Sequence, residues 1–194
     1  LLALPLQACG GDDDDDGPGS GATPPAGWKT FDEEHYSGIV RDEWNVTYID
    51  FEDAAQGVEQ ADLPEGLKET IRQAGASGQY DNVLFIVLEQ DGDFASNINI
   101  LPCGDSSNTP GDAEDAIDAF EAVGVDATKA GEAEVLGKTV TVVKPEIVPD
   151  VDTFQVVGHK GSCYSVITLT ADDSVADPLE DFRTFLAQLD IEPD

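Results

Sequence analysis

The feature that most constrains the fold is a series of short β-patterned segments joined by turns too short to hold a crossover. Asp91-Gly92 separates the apolar run Val83–Leu88 from Phe94–Leu101, which is a hairpin pattern. Parallel strands need a connection of about a dozen residues or more, so segments joined this closely must pair antiparallel. The predicted strands are Tyr36–Val40, Trp44–Glu52, Val83–Leu88, Phe94–Leu101, Glu132–Leu136, Thr139–Lys144, Asp152–Gly158 and Ser162–Thr170.

Three further segments combine a helix-start signal with an apolar stripe at helical spacing. The first begins at Asp62 and ends at Gly75, and the second covers Asp112–Val123, with Gly124 after it. The third begins at Asp177 with a proline at its first position. Its stripe consists of Leu179, Phe182, Leu186 and Leu189. Paired strands with helices packed on them predict an α+β fold, in which an antiparallel β-sheet is covered by about three helices.

The N-terminal segment places a cysteine at the point where an apolar stretch becomes polar. Residues 1–8 lack an initiating Met and are interpreted as the remnant of a signal peptide. Leu6-Gln7-Ala8 before Cys9 resembles the lipobox of bacterial lipoproteins, in which the cysteine receives a diacylglyceryl thioether and becomes the mature N-terminus. The resemblance implies that Cys9 is lipidated, carries palmitate and anchors the chain in membrane lipid. The alternatives are a secretory signal with an incidental cysteine, or a short buried strand.

Residues 9–27 are interpreted as the lipidated cysteine followed by a flexible acidic linker. No large apolar residue occurs from Gly10 to Gly27, so this stretch cannot offset its ordering entropy and is predicted to be disordered. Asp12–Asp16 are five adjacent carboxylates without the shaped loop that a calcium site requires, so we expect a solvated tether. Residues 28–194 then form a single α+β domain.

The chain carries 41 acidic residues against nine Lys and Arg, which gives a formal net charge of -32. Charge of this sign repels phosphate backbones, so a nucleic-acid partner is excluded. The acids are spread along the chain, which favours a protein that functions at high salt, where screening relieves their repulsion. The thermal midpoint is accordingly expected to rise with NaCl concentration. The alternative is an acidic surface for a cationic partner or for loosely held divalent cations.

No motif in the chain specifies catalysis or a metal centre. A serine hydrolase would need a nucleophile with a histidine base, for which Ser106, Ser107, His35 and His159 are the available residues. However, there is no Gly-x-Ser-x-Gly, and the polar loop around the serines is adequately explained as a turn. The two histidines show no metal-ligand spacing, and neither a metal nor a cofactor is expected. We predict that the protein is not an enzyme.

Asn97 and Asn99 are the candidate binding residues. They alternate with Ile98 and Ile100, so both amides should point to one face of a strand. This polar face is either a solvated sheet surface or a patch that binds a partner or a glycan through amide hydrogen bonds.

Two cysteines remain once Cys9 is assigned to lipid. Cys103 and Cys163 lie at predicted strand ends in a compartment where disulfides persist, so we predict that they form a bridge. The alternative is a pair of buried free thiols.

Several short segments together resemble the PsbP-like group. They are the aromatic-led strand Tyr36–Val40 followed by Trp44, the strand Phe94–Ile100, and the late strand within Gly161–Thr168 before a closing helix. Within that group the order is similar to the actinobacterial LpqN/LpqT lipoproteins, although Arg41-Asp42-Glu43 stands where the family usually has a proline before the tryptophan. The resemblance implies a PsbP-like fold and a non-catalytic binding or accessory role.

The sequence therefore predicts a lipoprotein anchored in the cell membrane at its extracytoplasmic face. Its domain is expected to bind an unknown envelope protein or small ligand. The alternative function is an envelope hydrolase or another enzyme of unknown substrate.

Overall fold

The computed structural model describes residues 23–50, 68, 72, 82–91, 94–101, 110–161 and 163–192. Within these ranges, ten strands form two antiparallel sheets, and two helices have described bounds. The strands are β1 (Trp28–Glu33), β2 (Tyr36–Arg41), β3 (Asn45–Asp50), β4 (Asn82–Asp91), β5 (Phe94–Ile100), β6 (Ala127–Val135), β7 (Lys138–Pro145), β8 (Asp152–Lys160), β9 (Cys163–Ala171) and β10 (Asp190–Ile191). The helices are α1 (Ala113–Ala122) and α2 (Pro178–Leu186).

The larger sheet has seven strands in the order β3-β4-β5-β9-β8-β7-β6, and the smaller sheet has three in the order β1-β2-β10. The hairpins β4–β5, β6–β7 and β8–β9 pair antiparallel, as their short turns predict. The helix predicted from Asp112 is also observed, because the Asp112 side chain accepts hydrogen bonds from the backbone N–H groups of Glu114 and Asp115.

The predicted fold class, one antiparallel sheet covered by about three helices, is wrong. The described residues are mostly β, in two sheets of ten strands with two bounded helices. The second sheet arises because β2 pairs with β1 and β10, whereas only β3 of the two early predicted strands joins the larger sheet. Apart from Lys68 and Arg72, which are helical, the helix predicted from Asp62 to Gly75 lies outside the described residues.

The hydrophobic core lies between the two sheets. One face of the larger sheet, which we call the inner face, packs against the smaller sheet and α2. Phe182, Phe185 and Leu186 of α2 are completely buried in this layer. The inner-face strands contribute Leu84, Ile86, Ile98, Ile100, Val142, Phe154, Val156, Ile167 and Leu169. We call the opposite face the outer face. Helix α1 contacts β6 and β7, and its buried Ala116 is not part of the inner-face core.

Basic residues, although few, lie at joints between elements. In the described part of the chain, four ion pairs each connect two different elements: Arg41–Asp181, Lys129–Glu114, Lys144–Asp152 and Lys160–Asp190. The Arg41 guanidinium also lies over the Trp28 ring, 5.0 Å from its centroid, and its hydrogen bond to Asp181 raises the pKa of Arg41. This contact ties the smaller sheet to the start of α2.

Arg183 caps the free edge of β6. Its Nε donates to the carbonyl of Glu132 at 3.0 Å and its Nη2 to the carbonyl of Ala130 at 3.3 Å. Because β6 is a terminal strand of the sheet, these carbonyls would otherwise be available to pair with another chain. The pairing of β6 with β7 shifts register between Lys129 and Glu132, and Gly131 in this bulge has φ +104°.

Gly131→Ala is expected to destabilise the domain by about 1–3 kcal/mol, because the new side chain must adopt a strained positive φ. Its Cβ would also lie 2.7 Å from Arg183 Nη2 and displace the guanidinium from the strand edge. Urea unfolding, with size-exclusion chromatography to detect edge-to-edge association, measures both effects.

The matched control for this substitution is Gly137→Ala. Gly137 also has a positive φ, +71°, but its Cβ would meet nothing within 4 Å. In an Arg183→Ala background, the cost of Gly131→Ala should fall by about 1 kcal/mol, whereas that of Gly137→Ala should not change. Equal costs of Gly131→Ala with and without Arg183 would show that the guanidinium does not protect this edge.

Candidate functional site

The outer face of the larger sheet carries a group of uncharged polar side chains on its three central strands. Asn97 and Asn99 lie on β5, Thr168 and Thr170 on β9, and Gln155 on β8. We call these five residues the amide–hydroxyl patch. All five are partly exposed.

The antiparallel register brings the patch together. Asn97 is paired with Thr170, and Asn99 with Thr168. Thr168 is in turn paired with Gln155. Directly paired residues of an antiparallel sheet have their side chains on the same face, about 4.5–5.5 Å apart at Cβ. The patch is therefore one continuous surface across β5, β9 and β8.

Hydrogen bonds within the patch hold the amides in place while leaving part of their capacity open. Asn97 Nδ2 donates to the carbonyl of Ala95 at 2.8 Å, and Asn99 Nδ2 is 3.5 Å from Asn97 Oδ1. Gln155 Nε2 donates to Thr168 Oγ1 at 3.3 Å. Among the described residues, the oxygens Asn99 Oδ1 and Gln155 Oε1 accept no hydrogen bond. They are acceptors available to a ligand.

Buried apolar residues border the patch on both sides of the same face. On β4, Val87 and Phe85 pair with Asn97 and Asn99, and both are more than nine-tenths buried. On the other side, Gln155 pairs with Val143 of β7, which is almost completely buried. The polar surface is thus a strip three strands wide between two apolar regions.

Asp172 organises the end of β9 next to the patch strands. Its Oδ1 accepts hydrogen bonds from the Ser174 hydroxyl, from the Ser174 backbone N–H at 3.1 Å and from Ser96 Oγ at 3.0 Å. These donors, the Ser174 hydroxyl foremost, lower the pKa of this carboxyl. The native fold therefore favours the ionised form, and this contribution to stability is lost as the pH falls through the lowered pKa.

The two histidines considered for catalysis both pack against tyrosine rings. The His35 ring lies 6.2 Å from the Tyr48 ring, and the His159 ring stacks on Tyr164 at 5.5 Å between centroids. Lys138 Nζ is 3.1 Å from Nδ1 of His159. Ser106 and Ser107, the candidate nucleophiles, lie outside the described residues.

The remaining predicted site residues are only partly within the described chain. Cys9 and Cys103 lie outside it, and Cys163 is the first residue of β9. The lipidation and the disulfide therefore stay predictions. In the described part of the chain, no three His, Cys, Asp or Glu side chains are grouped so that they could hold a metal ion. No helix among those residues is long and apolar enough to span a bilayer.

Sequence reasoning missed three members of the patch and a second cluster. Gln155, Thr168 and Thr170 sit at polar positions of their strands, but alternation alone does not show that these strands lie beside β5. The second cluster joins the two sheets, where the buried Tyr36 hydroxyl donates to Asn82 Oδ1 at 2.9 Å.

Comparison with solved structures finds nine matching chains. No family model and no curated protein matches the chain. Among solved structures, the chain is similar to the solution structure of cyanobacterial PsbP (CyanoP) from Synechocystis sp. PCC 6803, with a TM-score of 0.48 and 12% sequence identity. The match covers 90% of this chain and 99% of that chain.

Proposed function

We propose that this chain is a lipid-anchored protein of the bacterial cell envelope, similar to the LpqN/LpqT lipoproteins, whose domain binds a partner or ligand without catalysing a reaction. The observation that supports a binding role is the amide–hydroxyl patch. About a quarter of the chain is charged, at 26%, yet these five contiguous positions carry no charge. These positions are partly exposed, and two of their amide oxygens, Asn99 Oδ1 and Gln155 Oε1, accept no hydrogen bond among the described residues.

The proposed location follows from the N-terminal segment. Lipidation of Cys9 would hold the chain at the membrane, and the acidic stretch through Asp12–Asp16 would separate the domain from the lipid headgroups. Anionic headgroups repel a chain of this charge, so the tether and the domain should extend away from the surface.

Cys9→Ser is expected to remove the protein from the membrane fraction. The thiol is the acceptor of the lipid, and serine cannot form the thioether. The test expresses both forms behind an intact lipoprotein signal peptide, separates membranes by ultracentrifugation and measures the mass of the mature N-terminus. A lipid-sized mass increment on Cys9 should accompany membrane retention.

Ser20→Ala serves as the control for this experiment, since it changes the N-terminal segment and leaves Cys9 in place. It should remain in the membrane fraction. Release of the wild-type protein without a lipid increment would refute the anchor.

The binding role has its own test. The full chain carrying Cys9→Ser should co-sediment with isolated cell envelopes from which the membranes have been extracted with detergent, and Asn99→Leu with Gln155→Leu should weaken this binding about tenfold. Gln188→Leu is the matched control, because it replaces an exposed glutamine in the loop after α2, on the inner-face side. Binding that is unchanged by the patch variants would refute a role for the patch.

A further inference from the structure

We infer that the ligand of the amide–hydroxyl patch is a neutral polysaccharide; this inference rests on the proposed binding role of the patch. Three properties of the patch select among ligand classes: its lack of charge, its lack of apolar anchors and its position on central strands.

The lack of charge disfavours ionic ligands. An anion is recognised by Lys, Arg or free backbone N–H groups, and the patch has no basic side chain, on a chain whose net charge of -32 already repels anions. A cation gains most beside ionised carboxylates, and none of the five patch residues supplies one. A neutral ligand is the class that neither rule excludes.

The composition of the patch disfavours a protein partner. Protein interfaces are anchored by buried aromatic residues, Met or Arg, and the five patch residues include none. The aromatic neighbour on the same face, Phe85, is only 7% exposed and offers little surface. Addition of a peptide strand is also disfavoured, because β5, β9 and β8 each have a strand on both sides.

The hydrogen-bonding groups of the patch fit sugar hydroxyls. Each sugar hydroxyl both donates and accepts, and amides and threonine hydroxyls also do both. Asn97 and Asn99 are about 6.6 Å apart along their strand, and neighbouring strands are about 4.8 Å apart. The patch is therefore a grid of donors and acceptors extended across three strands, suited to a chain of repeating polyol units.

Affinity electrophoresis in native gels tests the ligand class directly. Gels containing dextran, mannan or galactan should retard the full chain carrying Cys9→Ser in at least one case, relative to a gel without polysaccharide. Carboxymethyl-dextran should retard it less than dextran. Asn99→Leu with Gln155→Leu should weaken the retention about tenfold, the loss expected for one or two ligand hydrogen bonds. Gln188→Leu should leave it unchanged.

Envelope binding separates this inference from the proposed function. Periodate, which cleaves vicinal diols of sugars, should abolish sedimentation with envelopes, and protease treatment of the envelopes should not. Sensitivity to protease alone, or the absence of retardation by every neutral polysaccharide, would overturn the inference while the binding role stands. Thermal unfolding midpoints of the variants that lie within a few degrees of the wild-type value exclude misfolding. If the midpoint of the double variant falls further, the single variant Gln155→Leu is used in its place.

Discussion

Phe182→Ala is expected to lower the free energy of unfolding by about 3–5 kcal/mol, the usual cost of truncating a buried aromatic side chain. Phe182 is 0% exposed and belongs to α2, which contacts β2 of the smaller sheet and β6 and β9 of the larger one. Truncation therefore opens a cavity at the joint between the two sheets. For a domain of this size the thermal midpoint should fall by roughly 10 °C.

Urea unfolding followed by tryptophan fluorescence measures the effect, with Trp28 and Trp44 as the probes. Urea is preferred because guanidinium is ionic and would screen the acidic surface as it unfolds the chain. Val123→Ala is the control, since Val123 is 75% exposed and its truncation should change stability by less than about 0.5 kcal/mol. Equal midpoints for the two variants would contradict the placement of α2 in the core.

The part of the fold that the sequence predicts is the part that local turns determine. Asp91-Gly92 and Gly137 each specify a hairpin within a few residues, so the partners of β4, β6 and their neighbours follow directly. The partners of β2 do not follow, because β10 lies at the opposite end of the chain and has only two residues. β1 was not expected, because its sequence WKTFDE alternates weakly and most of it is polar.

The same limit applies to the candidate site, of which the sequence predicts only the two residues on β5. Asn97 and Asn99 are predictable because alternation with isoleucines assigns both amides to one face of β5. The other members can be identified only when it is known that β9 lies beside β5. The sequence does not show this, because the two strands are far apart in the chain. Short connections determine which consecutive strands pair with each other. Burial of the inner face, in contrast, determines the pairing of β5 with β9. The inner-face residues Ile98 and Leu169 pair directly and are completely buried.

The predicted Cys103–Cys163 disulfide should contribute roughly 4 kcal/mol to stability, because it closes a loop of 60 residues (163 − 103) in the unfolded chain. The described residues that come shortly before Cys103 and shortly after Cys163 lie next to each other in the structure. The backbone N–H of Leu101 donates to the carbonyl of Val166 at 3.0 Å, and Ser165 Oγ donates to the carbonyl of Leu101 at 2.6 Å. Cys103 is two residues after Leu101 in the sequence, and Cys163 is two residues before Ser165.

A Cys9→Ser background isolates the bridge, since Cys103 and Cys163 are then the only cysteines of this sequence. The oxidised protein should show no free thiol under denaturing conditions and two after reduction. Cys163→Ser, and dithiothreitol acting on the parent, should each lower the free energy of unfolding by about 4 kcal/mol, less any strain in the native bridge. Dithiothreitol should not affect the Cys163→Ser variant, which controls for effects of the reductant elsewhere. Two thiols that react in the denatured, unreduced parent would mean that both cysteines are free, and would refute the bridge.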